Sequence, residues 1–204
     1  MRNERIKKLA VIAIFSALAF VLMLIEFSTP VIPSFVKLDF SEIPALLAAF
    51  LFGPLEGIAV CLVKNVIHLA ITSTGGVGEL ANFLLGAAFA GTAGLVYRFK
   101  HTFWGGFWGC VGGSAAMAAV SFPVNLFVTY PFYANLFFKG NMQGIIDMYK
   151  ALLPSSDTLV KSLLIFNTPF NLVKVLLVSA FVMLCYKRLS VFYKSIGSKK
   201  KSAE

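Results

Sequence analysis

The sequence predicts an all-α integral membrane protein, a bundle of six helices with the N and C termini in the cytoplasm. Its composition is the first of three observations behind this prediction. Hydrophobic residues make up 58% of the 204 residues and charged residues only 13%, and the mean hydropathy is +0.83. A soluble domain has roughly a quarter of its residues charged. The composition therefore excludes a secreted disulfide scaffold, a disordered chain and a soluble nucleic-acid binder.

Six apolar segments are the second observation, because a spanning helix needs about 20 apolar residues. They are 9–27, 43–52, 55–71, 80–97, 105–133 and 158–186. The first follows the basic stretch MRNERIKK. A cleaved signal peptide with a site at Ala17-Leu18-Ala19 is the alternative, but cleavage there would cut inside the apolar run. The second segment has ten residues and spans only if its helix continues into Glu42 or Gly53.

Turn signals separate these segments in order along the chain. Gly53-Pro54 ends the second segment, and the glycine-rich string TSTGGVG separates the third from the fourth. Pro123 interrupts the fifth segment, and a polar connection, 134–156, leads to the last.

The distribution of basic residues is the third observation. With the N terminus in the cytoplasm, 12 of the 18 Lys and Arg residues fall at inner helix ends or in the C-terminal tail, and four fall in outer segments. This asymmetry follows the positive-inside rule. We expect a six-helix domain over 1–190 and a basic cytoplasmic tail over 191–204, which either lies near anionic lipid or binds a partner. The last two basic residues, Lys64 and Lys174, lie inside apolar segments.

Ionisable and amide side chains inside apolar helices are costly and mark candidate functional sites. Asn167, Asn171 and Lys174 recur at i, i+4 and i+7, which places them on one helical face. Either they form an interhelical hydrogen-bond cluster, or they line a cavity that binds a neutral polar solute. Pro169 favours the cavity, because a proline frees a backbone carbonyl. Asn125 is the counterpart on the fifth segment.

Polar groups also lie on the third and fourth segments. Lys64 and His68 share a face at i and i+4, and we expect an interhelical polar contact there rather than direct ligand binding. Glu79 begins the fourth helix, where capping is the simplest role, and Asn82 is a candidate to face the cavity. These groups are too few for a metal site, and the three cysteines have unrelated spacings, so no disulfide is expected.

Small and aromatic residues predict packing surfaces. Gly109 and Gly113 belong to a G-xxx-G pattern that indicates close helix packing, and Ala10, Ala13 and Ala17 form a stripe that admits either an internal or a partner helix.

Four aromatics, Phe127, Tyr130, Phe132 and Tyr133, lie toward the outer end of the fifth segment. They form either an interfacial belt or, on the inward side, a stacking surface for a flat ring.

Motifs of ATP-hydrolysing and hydrolytic enzymes are absent from the sequence. It contains no G-x-x-x-x-G-K-[ST] phosphate loop, so ATP-driven work requires another polypeptide. H-E-x-x-H and G-x-S-x-G are absent as well. We therefore expect no enzyme activity.

Four strings carry a family resemblance: KLDFSEIPALLAAFLFGPLEGIAVCLVKNVIH, GELANFLLGAAFAG, NLFVTYPFY and PFNLVK. They resemble the riboflavin-specific substrate-binding subunits (S components) of energy-coupling factor (ECF) transporters, over nearly the whole chain. The D-F-S-x-x-P and P-F-N-x-x-K patterns are the most specific. The resemblance implies a six-helix subunit of the cell membrane that binds riboflavin from outside as transported ligand, with no cofactor. Its implied partners are a transmembrane coupling subunit and two ATPases.

The resemblance also assigns residues. It implies that Asn125, Asn171 and Lys174 hydrogen-bond the isoalloxazine ring and neighbouring groups, and that Ala13 and Ala17 dock on the coupling subunit.

The first outer loop, 28–40, which includes Asp39, is implied to cover the vitamin. Lys64, Glu79, Asn82 and Asp39 itself are further candidate ligand contacts. The stretch 134–156 is long for the family, so its contacts do not carry over. An S component for thiamin, folate or biotin, an intramembrane enzyme, and a stand-alone channel or carrier are the alternatives.

Overall fold

The computed structural model describes residues 2–28, 32–33 and 36–186, which are mostly helical. The helices are α1 (Arg2–Leu24), α2 (Glu42–Leu51), α3 (Pro54–His68), α4 (Val77–Phe99), α5 (Phe103–Val124), α6 (Tyr130–Phe138), α7 (Met142–Leu152), α8 (Leu159–Ser162) and α9 (Thr168–Leu184). A 3₁₀ turn, Leu69–Ile71, continues α3; a first π-turn, Asn125–Thr129, joins α5 to α6; and a second π-turn, Leu163–Asn167, joins α8 to α9. The predicted tail, 191–204, lies outside the described residues.

Four helical stretches are long and apolar enough to cross a membrane. They are Pro54–Ile71, Val77–Phe99, Phe103–Phe138 and Leu159–Leu184. Two shorter apolar helices, Lys8–Leu24 and α2, accompany them. Large apolar side chains such as Leu55, Phe99 and Leu184 cover the outer surface, each at least 75% exposed. A surface of this kind suits lipid rather than water.

Helix α2 is short because it is enclosed by protein. Its ten residues extend about 15 Å, half the thickness of the hydrocarbon layer. Seven of the ten are buried. Small residues allow this, since a Cβ added at Gly57 of α3 would lie 2.6 Å from the Cβ of Ala49.

The predicted close packing of the glycine-rich helix is confirmed. A Cβ added at Gly109 of α5 would lie 2.7 Å from the Ala93 carbonyl oxygen of α4, and one at Gly113 would lie 2.6 Å from the Phe89 carbonyl oxygen. Any larger residue at either glycine would separate the two backbones.

The two π-turns each begin six residues before a proline, Pro131 or Pro169. A proline ring clashes with the carbonyl four residues earlier in a regular helix, and that carbonyl falls inside the widened turn in both cases. The sequence placed the interruption at Pro123, and this was wrong. Helix α5 continues through Pro123, and the irregular turn starts at Asn125.

The polar connection predicted over 134–156 is also wrong in most of its length. Helix α6 runs to Phe138, and α7 occupies Met142–Leu152. The Asn141 side chain caps α7 by accepting from the Gln143 amide. The polar residues mislead because α7 is amphipathic: Ile145 and Tyr149, at i and i+4, are fully buried.

The alanine stripe on α1 points away from the bundle. Ala13 and Ala17 are exposed, as is Ala10, whereas Ser16 and Ala19 are buried. The spacing left open whether the stripe packs internally, and the structure excludes internal packing within the described residues.

A short hairpin, β1 (Phe27–Ser28) with β2 (Lys37–Leu38), follows α1 and pairs antiparallel. An ion pair between Lys37 and Glu26 supports it. The hairpin ends at Leu38, and the chain continues through Asp39 to the start of α2.

Candidate functional site

A cavity of about 490 Å³ opens at the end of the bundle where α1 ends and α4 begins. This volume lies within the range of roughly 300–1,000 Å³ that small-molecule sites occupy. Its walls come from α1, the hairpin, the α3–α4 connection, both π-turns, α4 to α7 and α9. Apolar side chains such as Leu85, Met117 and Phe170 share the lining with polar ones.

Most of the predicted site residues meet in this cavity. Its lining includes Asp39, Glu79, Asn82, Asn125, Asn171 and Lys174. Asn167 lines it too, so the predicted common face of Asn167, Asn171 and Lys174 is confirmed. Lys64 is not part of the lining, and its side chain is completely buried beside it.

Lys174 belongs to a buried network of two ammonium and two carboxylate groups. Its Nζ lies 2.9 Å from Asp39 Oδ2 and 3.0 Å from Glu42 Oε2. The Nζ of Lys64 lies 2.9 Å from Glu42 Oε1 and also donates to the Ser41 hydroxyl. Ser41 in turn donates to Asp39 Oδ1, at 2.5 Å from its Oγ and 2.8 Å from its backbone N. The four charges sum to zero.

Charge pairing explains how these groups are tolerated away from water. Burial alone would raise the pKa of Asp39, but the Lys174 and Lys64 ammonium groups and the Ser41 hydroxyl together hold that pKa well below its ordinary value of 3.8. Asp39 therefore stays ionised at neutral pH. A lysine has three N–H donors. Two of the Lys174 donors face Asp39 and Glu42, which leaves the third for a group in the cavity.

The interhelical contact expected around Lys64 is confirmed, and it extends to Asn65. Lys64 on α3 reaches Glu42 on α2. Asn65 Nδ2 donates to Asn82 Oδ1 on α4 over 3.2 Å and to the Cys61 carbonyl. Asn82 itself lines the cavity.

Glu79 is the centre of a second polar cluster at the cavity wall. Its Oε1 lies 2.8 Å from His68 Nδ1, and its Oε2 accepts from the hydroxyls of Thr72 and Thr74, each at 2.9 Å. The simple capping role is therefore incomplete. The carboxylate ties the α3–α4 connection to the first turn of α4, and these three contacts leave about one of its four acceptor sites open.

The four aromatic residues divide between the outer surface and the cavity. Phe127 is 73% exposed and Phe132 is 37% exposed, so both face outward. Tyr130 and Tyr133 are buried and line the cavity.

Sequence reasoning missed Glu42 and Tyr149. The signal for Glu42 was present, since two lysines in apolar helices require two buried carboxylates, and Asp39 supplies one. Tyr149 had no local signal, because it lies in the stretch read as a polar connection. Within the described residues, no group of three or more His, Cys, Asp and Glu side chains is arranged to hold a metal ion.

A sequence profile for the family described as "ECF transporter, substrate-specific component" matches residues 7–186. The chain belongs to the ECF transporter S-component family. It is therefore part of a membrane transport system rather than an enzyme, and the cavity lies in a transporter's substrate-specific subunit.

Individual relatives of this S component span its length. The riboflavin transporter RibU of Staphylococcus aureus (strain TCH60) is 37% identical over 96% of this chain and 97% of its own. The riboflavin transporter FmnP of Bacillus subtilis (strain 168) is 31% identical over 91% and 93%. A solved structure of the S component of a bacterial ECF transporter superposes with a TM-score of 0.72 and 34% identity, covering 95% of this chain and 99% of that one.

Proposed function

We propose that this S component binds riboflavin in the described cavity and delivers it for uptake. The convergence of Lys174 with the Asn125, Asn167 and Asn171 amides on one cavity carries the proposal. Riboflavin is an uncharged tricycle with a polyhydroxylated tail. It needs an apolar slot for the ring and a few donors and acceptors for the carbonyl edge and the hydroxyls. The names of two similar proteins, both riboflavin transporters, agree with this ligand.

Each polar group has a role in this scheme. The third N–H of Lys174 donates to a ring carbonyl, while Asn125 and Asn171 each offer a donor and an acceptor to the amide-like edge. Glu79 and Asn82 contact the hydroxylated tail. Asp39 lies at the end of the hairpin and holds the Lys174 ammonium in place.

Lys64 acts on the ligand indirectly in this scheme. It has no cavity-facing surface, but it neutralises Glu42, whose second oxygen positions Lys174.

Ala13 and Ala17 are proposed to dock on a transmembrane coupling subunit. They are exposed on a helix whose large neighbours Ile14 and Leu18 are exposed too. Small residues permit the close approach of another helix in lipid. The coupling subunit and two ATPases would supply the energy, because this chain has no phosphate loop.

We further propose that the chain crosses the cell membrane six times. The distribution of basic residues supports a cytoplasmic location of both termini and of the tail, 191–204. The cavity then opens to the outside, where the vitamin is captured. No role with nucleic acid is proposed, since the basic residues cluster at membrane-facing ends.

A visible absorption spectrum of the detergent-purified protein tests the ligand. We expect co-purified flavin, released on denaturation at near one equivalent per chain, and binding of added riboflavin after its removal. A colourless protein that binds thiamin, folate or biotin but not riboflavin would refute the assignment. Riboflavin uptake by the chain alone in proteoliposomes, without ATPase partners, would instead indicate a secondary carrier.

A further inference from the structure

Three buried polar side chains form a closed ring of hydrogen bonds at the cavity wall. Tyr149 Oη donates to Asn167 Oδ1 over 2.6 Å, and Asn167 Nδ2 donates to Tyr130 Oη over 2.6 Å. The Tyr130 and Tyr149 hydroxyls lie 2.5 Å apart and complete the ring. All three residues are at most 4% exposed. We call this group the tyrosine–asparagine ring.

The ring joins three elements that are distant in sequence. Tyr130 directly follows the first π-turn, Asn167 ends the second π-turn, and Tyr149 lies on α7. Tyr130 and Asn167 line the cavity, whereas Tyr149 does not. Any influence of Tyr149 on a ligand is therefore indirect, through the residues that it orients or packs against.

The bonds to Tyr149 and Tyr130 determine which way the Asn167 amide faces. A carboxamide has two acceptor lone pairs and two donor hydrogens. The ring uses one lone pair of Oδ1 and one hydrogen of Nδ2. One acceptor and one donor remain, and the ring prevents the amide from exchanging their positions. A ligand edge that presents a carbonyl beside an N–H meets a preorganised partner.

The same contacts hold α7 against the bundle. The Tyr149 ring lies 5.4 Å from the Phe166 ring and 6.2 Å from the Tyr130 ring, between centroids. Beside it, Met148 of α7 lines the cavity. The position of α7 thus shapes one wall of the cavity, and Tyr149 is its buried polar anchor.

We propose that Tyr149 is a positioning residue for the ligand: it orients the Asn167 amide and fixes α7 as a cavity wall without touching the bound molecule. This role presupposes the riboflavin site proposed above. Loss of the Tyr149 hydroxyl leaves Asn167 Oδ1 without its donor and lets the amide reorient. The amide is then less well oriented toward the bound molecule. We expect the loss of affinity mainly in the dissociation rate, because mutations at one binding site usually change dissociation more than association.

The test measures riboflavin association and dissociation rates by fluorescence quenching in detergent for the full chain, Y149F and Y97F. Tyr97 is the matched control: its buried hydroxyl lies 3.3 Å from that of Tyr186, and it is 20 residues beyond Val77 along α4, about 30 Å from the cavity end. We expect Kd to rise about tenfold in Y149F, mostly through faster dissociation, and to stay within twofold in Y97F.

A double-mutant cycle with N167A separates positioning from general damage. If Tyr149 acts through Asn167, Y149F adds less than twofold to the Kd of N167A. Multiplicative effects, or a folded Y149F whose dissociation rate is within twofold of the parent's, would overturn the role. Should Y149F not fold, Tyr149→Met removes the same hydroxyl with an adaptable apolar chain, and the same criteria apply. A parent chain that binds no riboflavin refutes the proposed function itself, and this role with it.

Discussion

Removing Lys64 tests whether the buried charge network is held together by neutrality. Lys64 is fully buried, and its Nζ lies 2.9 Å from Glu42 Oε1. Lys64→Met keeps most of the side-chain volume and removes the charge. The network is then left with Asp39 and Glu42 against Lys174 alone. The charge-assisted bond to Ser41 is lost as well.

The expected cost follows from this geometry. Breaking a buried ion pair by removing one partner costs about 3–5 kcal/mol, because the other charge stays buried and uncompensated. Glu42 still contacts Lys174 at 3.0 Å, so we expect the lower end, about 3 kcal/mol. Glu42→Gln added to Lys64→Met restores neutrality and keeps a polar partner for Lys174. The double variant should therefore cost only about 1 kcal/mol, the net value of an ordinary hydrogen bond.

Reversible unfolding in mixed detergent micelles, followed by the fluorescence of the two tryptophans, gives the free energy of unfolding of each variant. Glu42→Gln alone is the matched control, since it leaves the network with one excess positive charge. If the net charge of the network determines its stability, the double variant must be more stable than Lys64→Met. A single-variant cost under about 1 kcal/mol, or a double variant less stable than the single one, would refute the reasoning.

Three further predictions concern the ligand, the partner and the packing. Lys174→Ala, once shown to be folded, is expected to lose about 1.5–3 kcal/mol of riboflavin affinity, ten- to a hundredfold in Kd; titration with unchanged Kd would contradict the assigned donor. Ala13→Trp or Ala17→Trp is expected to abolish co-purification with the coupling subunit and riboflavin uptake while leaving riboflavin binding intact, and lost binding would instead indicate a distorted bundle. Gly113→Ala is expected to cost about 1–3 kcal/mol in unfolding free energy, since its Cβ would meet the Phe89 carbonyl oxygen at 2.6 Å. Gly112→Ala is its control, because the nearest atoms to that Cβ lie at 3.8 Å, and equal losses in both would contradict the packing.

The helical class and most of the site were predictable because hydropathy and spacing act locally. The polar face of Asn167, Asn171 and Lys174 follows from helical periodicity alone, and the structure places all three in the cavity. The close packing at Gly109 and Gly113 followed from spacing in the same way. Each site residue that places a polar side chain within an apolar segment could therefore be recognised from the sequence.

The errors lie where tertiary contacts override a local pattern. Helix α7 was predicted to be a polar connection, since its outward residues are polar. Its burial depends on tertiary contacts, such as those of Tyr149 with Tyr130 of α6 and with Phe166 of the second π-turn. The wide turn was assigned to Pro123, although Pro123 fits within α5. Which proline disturbs a helix depends on the neighbours that satisfy the displaced carbonyl.

By itself, the sequence determined the membrane class, the positions of the apolar helices and the identity of the costly polar residues, because the energy of each residue in lipid depends mainly on its own side chain. Only the tertiary structure decided which charges neutralise one another. Lys174 meets Asp39 across 135 residues, and Lys64 meets Glu42 across 22. The energy of an ion pair depends on the distance between its partners, and that distance is fixed only when the helices are packed.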